Sequence, residues 1–174
     1  MDLGDFANVL ILETFRSGAT GVIANDIDPN CRLALDMNAE LSKQSLAGVE
    51  MVEADLLAGD NDTRMEVLRS TDVVLVGDMF YDEHIGGEVY NLCSTFKSLK
   101  KENEVSVCVL RSKDNDSPPP PQVYVGDPGR WALEEHSRFH QSFACCAKYN
   151  LAEATRLENN GFSTGLVWRL NKSS

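Results

Sequence analysis

The chain has 174 residues, 43% hydrophobic and 25% charged, which is enough for one soluble globular domain with a sizeable core. Its net charge of -11 argues against nucleic acid as the main partner, because phosphate binding needs clustered Lys and Arg, and is compatible with a basic protein patch. No apolar run approaches the ~20 residues of a membrane span; five Cys without C-x-x-C spacing point to a reduced compartment.

In chain order, "MDLG" at 1–4 reads as a first strand ending at Gly4. The apolar "VLIL" at 9–12 lacks the preceding basic segment of a secretory signal, and Asp2 and Asp5 do not suit an Arg-rich transit peptide. "TGVIAND" (20–26) reads as a strand that Pro29 stops. "NCRLALDMNAELS" (30–42) reads as an amphipathic helix with Leu33, Met37 and Leu41 on its apolar face. "GVEMVEAD" (48–55) predicts a strand, "TRMEVLRS" (63–70) a short helix and "DVVLVGD" (72–78) a strand buried on both faces. A helix over 85–101 follows, its last turn basic. "VSVCVL" (105–110) and "QVYV" (122–125) are both compatible with strands, and the polar, Pro-rich 111–121 between them predicts an exposed, stiff loop. Near the end, Asn160-Gly161 between two strand-compatible runs predicts a hairpin. Alternation of this kind is the pattern of a parallel α/β sheet covered by helices on both faces, here finished by an antiparallel pair, in a single domain over 1–174.

Three predicted strands end in acid, at Asp26, Asp55 and Asp78. A parallel sheet would bring them to one carboxyl edge, where a carboxylate can accept hydrogen bonds from ribose hydroxyls. Acidic residues also cap helices, so Asp26 and Asp28 admit a second reading, as do Asp78 and Tyr81. A dinucleotide-dependent oxidoreductase is disfavoured by the missing G-x-G-x-x-G. His136 and His140, at i and i+4, have a metal-compatible spacing, but without H-E-x-x-H they read as a solvated helix face, and no metal is expected. Cys145 and Cys146 read as packing residues.

Five stretches, "DLG" (2–4), "ANDIDP" (24–29), "GDMFYDE" (77–83), "GDPGR" (126–130) and "ATRLENNGFSTGLVW" (154–168), occur in order. Together they resemble the electron transfer flavoprotein beta subunit lysine methyltransferases, a family of seven-β-strand protein methyltransferases. The resemblance implies a Rossmann-like, mostly parallel seven-stranded sheet with an antiparallel carboxyl-terminal hairpin, and S-adenosyl-L-methionine as methyl donor. It implies that Gly4 lies in the cofactor loop, that Asp26 binds the ribose, that Ile27 packs on the adenine, and that Asp55, backed by Leu56, faces the adenine edge. Asp78 and Tyr81 match the family's D-x-x-Y motif and are the expected catalytic residues, with Phe80 and Arg130 on the substrate side. The implied partner is a protein, the electron transfer flavoprotein beta subunit, bound by a monomer in the mitochondrial matrix without nucleic acid or membrane. Two departures stand out. "GDFAN" (4–8) keeps only Gly4 of the family's G-x-G-x-G loop, which predicts a shortened or altered amino terminus and weak cofactor binding. The Pro-rich 111–121 is an insertion, which puts the fifth strand at "QVYV". The alternative function is a catalytically impaired or non-catalytic variant of the same fold.

Overall fold

A computed structural model describes residues 14, 19–58, 62–77, 79–107, 122–153, 156 and 161–171. The chain divides into two units, Met1–Val67 and Leu68–Ser174. The candidate first strand with Gly4, most of "NVLILETF", Asp78 and the 111–121 insertion lie outside the described residues.

In the first unit, β1 (Val22–Asn25) pairs in parallel with β2 (Val49–Val52), from Val22 opposite Val49 to Asn25 opposite Val52. Helix α1 (Asn30–Ser42) makes the crossover between them. It begins after Pro29, and the Asn30 N–H donates to Asp28 Oδ1 at 2.9 Å. It ends in a Schellman-type closure: Lys43 turns left-handed (φ 53°), and the Gln44 N–H reaches back to the Ala39 carbonyl at 2.8 Å. The face of α1 that packs is not the expected one. Leu35 and Ala39 are buried, whereas Leu33, Met37 and Leu41 are 60%, 54% and 80% exposed. Residues two apart lie about 200° apart around a helix, so α1 carries two opposed apolar stripes, and the one with Leu35 and Ala39 is buried.

The helix α2 (Asp62–Ser70) leads into the second unit, whose sheet has the order β3-β4-β6-β5. β3 (Val73–Gly77) runs parallel to β4 (Gln122–Asp127), and β6 (Thr164–Leu170) runs antiparallel to both β4 and β5 (Phe143–Asn150). The long helix α3 (Glu83–Val107) is the crossover from β3 to β4; the short α4 (Trp131–Glu134) and α5 (Ser137–Ser142) link β4 to β5. The core is aromatic and aliphatic: Phe80, Phe96, Phe139, Leu133, Val123 and Val125 are all fully buried. Phe139 is its hub, stacked on Phe143 at 4.2 Å and meeting Phe80 and Trp168 edge-on at 5.2 and 5.6 Å.

Several expectations change. β3 is not buried on both faces, since Val73 and Leu75 are 43% and 39% exposed on the side opposite Val74 and Val76. Of "VSVCVL", residues 105–107 continue α3, so the strand falls on "QVYV", extended to Asp127. The terminal antiparallel pair exists, but its first strand is β5, and residues 151–163 join it to β6 in place of a two-residue turn. Gly161 does take the left-handed conformation (φ 83°), and its N–H closes onto the Arg156 carbonyl at 2.8 Å. Among the described residues, six strands form a two-stranded parallel and a four-stranded mixed sheet. No helix among them is long and apolar enough to cross a membrane.

Candidate functional site

At the carboxyl edge of the first unit, Asn25 is a clamp. Its Nδ2 donates to the carbonyls of Val52 and Ala54 at 2.9 and 2.8 Å, tying the end of β1 to the end of β2. Asp26 follows directly, and its Oδ1 accepts the Asp28 N–H at 2.9 Å. The amide that opens α1 is held by Asp28, so the capping reading belongs to Asp28 and not to Asp26. Ile27 is 69% exposed beside the Asp26 carboxylate, an apolar side chain presented next to an acceptor. Across the clamp, Asp55 Oδ1 accepts the N–H groups of Leu57 and Ala58, both at 2.9 Å, while Leu56 is buried and pins the turn. One oxygen of Asp55 is therefore used in shaping its own loop. Asn25 was missed from the sequence, because nothing in "IAND" says which neighbouring carbonyls its amide will find.

At the carboxyl edge of the second unit, the D-x-x-Y stretch leaves β3. Phe80, expected on the substrate side, is completely buried. It is held there because Gly86 leaves room: a Cβ on Gly86 would stand 2.9 Å from Phe80 Cδ1. Phe80 thus anchors the loop from below and offers no surface to a substrate. Tyr81 turns outward, 47% exposed, with the Arg130 guanidinium over its ring at 4.4 Å. The capping role suggested for Tyr81 falls to Asp82, whose Oδ1 accepts the Ile85 N–H at 2.9 Å.

Arg130 owes its position to Asp127. This residue shares the inward face of β4 with Val123 and Val125 and is 3% exposed. Its Oδ1 accepts the N–H groups of Gly129 and Arg130, both at 2.7 Å, and Gly129 completes the turn at φ 95°. The guanidinium then lies near two aromatic rings, Tyr81 and, at 5.7 Å, Phe162. A hollow of about 400 Å³ opens beside this turn, lined by Gly129, Glu134, Lys148 and Phe162 among others. Asp127 is a further acid at a strand end, inside the "GDPGR" stretch.

The two histidines part ways: His140 is exposed, as expected of both, whereas His136 is half-buried. His136 precedes α5 and caps it, Nδ1 accepting the Phe139 N–H at 3.1 Å, with its ring against Tyr90 at 5.4 Å and edge-on to Phe80 at 6.4 Å. His140 Nε2 lies 3.0 Å from the Glu134 carbonyl, and its ring meets Trp168 at 5.1 Å. Cys145 and Cys146 are exposed on β5, not packed inside. Burial, aided by the charges of Arg138 and His140, holds the His136 pKa below the ordinary imidazole value, against a backbone hydrogen bond that raises it. The neutral ring is the form that caps α5. Its contribution to stability is therefore complete above about pH 6.5 and is lost as pH falls through the lower folded-state value. His136→Asn keeps a capping oxygen without the titration. Melting temperatures measured from pH 7.5 to 5 are expected to fall less in this variant than in the wild type; equal slopes would refute the assignment.

An α/β chain with acids braced at the carboxyl ends of parallel strands has the layout of a nucleoside-binding domain. No protein-family model matches the chain. It is similar to the electron transfer flavoprotein beta subunit lysine methyltransferase of Danio rerio, 30% identical over 98% of this chain and 55% of that protein. The Homo sapiens protein of the same name is 31% identical over 97% of this chain and 53% of its own length. A Caenorhabditis elegans homologue is 27% identical, with 88% and 59% covered. The chain thus spans about half the length of these curated relatives. Among solved structures, it resembles a candidate tRNA (m1A22) methyltransferase of Streptococcus pneumoniae in complex with S-adenosyl-L-methionine, at TM-score 0.48 and 14% identity, with 97% of this chain and 64% of that one covered.

Proposed function

We propose that this chain is an S-adenosylmethionine-dependent protein-lysine N-methyltransferase acting on the electron transfer flavoprotein beta subunit, as a monomer in the mitochondrial matrix. The observation that carries the reading is the Asn25 clamp, which fixes Asp26 and the Asp55 turn at the ends of a parallel strand pair. Similarity along nearly the whole chain to relatives bearing that name supports it. In this reading the six described strands and one more, the candidate first strand ending at Gly4, make a mostly parallel seven-stranded sheet closed by an antiparallel pair.

The residues at the first edge fit the cofactor: Asp26 is an acceptor for ribose hydroxyls, and the exposed Ile27 offers an apolar face to the adenine. Asp55 and Leu56 shape the loop at the purine edge. S-adenosylmethionine supplies an electrophilic methyl group on its sulfonium. The chain's own task is to present a neutral lysine amine in line with that methyl. Asp78 steadies the incoming ammonium until it gives its proton to water, and Tyr81 orients the resulting amine, with Arg130 fixing the Tyr81 ring from above. The altered loop at 4–8 calls for assay at high cofactor concentration.

The test is methyl transfer from isotopically labelled S-adenosylmethionine to the purified beta subunit, followed by mass spectrometry. Tyr81→Phe is expected to slow turnover by about tenfold, the equivalent of one lost hydrogen bond in the transition state, while cofactor affinity holds. Absence of methyl transfer at saturating cofactor would refute the reading.

A further inference from the structure

Phe162 lies on the approach to β6, and the backbone is tied on both sides of it. Gly161 turns left-handed and gives its N–H to the Arg156 carbonyl at 2.8 Å, while the Ser163 carbonyl accepts the Leu151 N–H at 2.9 Å. With both neighbours held, the half-buried Phe162 keeps its place on the wall of the hollow beside Gly129. The Arg130 guanidinium lies over its ring at 5.7 Å and over the Tyr81 ring at 4.4 Å. One cation is thus shared by two aromatic faces that arrive on different connections, Tyr81 after β3 and Phe162 before β6. Magnitudes say why one ring is not enough. A single cation–π contact at an exposed site shifts an equilibrium only about two- to fivefold, and Tyr81 is 47% exposed. An Arg side chain has many rotamers open to it, so Tyr81 alone leaves the guanidinium elsewhere for much of the time. A second, backbone-braced ring multiplies the preference for the one position that both rings share.

We infer that Phe162 is a positioning residue for methyl transfer: it holds the Arg130 guanidinium over Tyr81 and so keeps the Tyr81 ring in the orientation that receives the amine. It acts through Arg130 and does not itself touch the reacting atoms. The inference rests on the methyltransferase reading and deepens it, adding a residue from a third connection to the D-x-x-Y loop and the turn that Asp127 holds.

Turnover at saturating cofactor and beta subunit, combined with NMR of the Arg130 side chain, tests it. Phe162→Leu keeps the bulk and removes the ring, and is expected to slow turnover about two- to fivefold. Phe162→Tyr keeps the ring and is expected to turn over at close to the wild-type rate. Arg130→Ala removes the cation through which Phe162 acts, so adding Phe162→Leu to it should cost nothing further, whereas a packing role would slow both backgrounds alike. The Arg130 side-chain protons, shifted upfield by the two rings, should move downfield in Phe162→Leu whether or not the protein turns over. Additive losses, a Phe162→Tyr variant as slow as Phe162→Leu, or Arg130 resonances unmoved in Phe162→Leu would overturn the positioning role and leave the methyltransferase reading standing. Absence of methyl transfer by the wild type, with the Arg130 shift present, would overturn that reading and the role with it, and would leave the stacked arrangement as a feature of the fold.

Discussion

Asp26→Ala is expected to lower S-adenosylmethionine affinity by about ten- to hundredfold, since a hydrogen bond to a charged acceptor is worth roughly 1.5–3 kcal/mol. The carboxylate is not the cap of α1, so its removal should not unwind that helix; Asp28, which holds the Asn30 amide, should do so instead. Asp28→Ala is therefore the matched control, expected to lower stability more than intrinsic affinity. Asp26 also accepts the Asp28 N–H, and Asn at this position preserves that turn while removing the charge. An intermediate affinity for Asp26→Asn separates charge from turn geometry. Calorimetry showing wild-type affinity in Asp26→Ala would end the ribose assignment.

The second large effect concerns stability. Asp127→Ala deletes a buried carboxylate that accepts two backbone N–H groups at 2.7 Å. Both amides lose a charged acceptor, so the expected cost is about 3 kcal/mol, or roughly 6–12 °C in melting temperature for a chain of this size. The turn would no longer carry Arg130 to the Tyr81 ring, so methyl transfer should fall beyond what the stability loss explains. Asp127→Asn retains an oxygen and should lose about half as much stability. A melting temperature within about 2 °C of wild type for Asp127→Ala would show that the turn closes without this carboxylate.

Periodicity placed helices at 30–42 and 63–70 and strands at 20–26, 48–55, 72–78 and 122–125, each overlapping an observed element, because each has a strong local apolar period bounded by Pro, Gly or acid. It did not say which apolar face would be covered. On α1 the larger Leu33–Met37–Leu41 stripe lost to Leu35 and Ala39, since what a helix buries is decided by its neighbours. The same limit applies to β3, whose unbroken Val and Leu run gave no sign that alternate residues are exposed. β5 escaped notice because "FACCAKYN" is weakly strand-like alone and is held by pairing with β6. At the candidate site, motif resemblance pointed to Asp26, Tyr81 and Arg130. Asn25, Asp127 and His136 act through backbone groups brought to them by folding, and no spacing encodes such partners.

The irregularity in β5 has a consequence for how this molecule behaves at high concentration. β5 is the outer strand of its sheet, with β6 on one side and no strand described on the other. Register slips between Cys145 and Ala147, so Cys146 is an extra residue that interrupts the ladder. A passing chain seeking to add itself as another strand finds the outer backbone of β5 broken there, and two residues later it meets the exposed charge of Lys148. A broken ladder and an exposed charge on an outer strand oppose growth by strand addition.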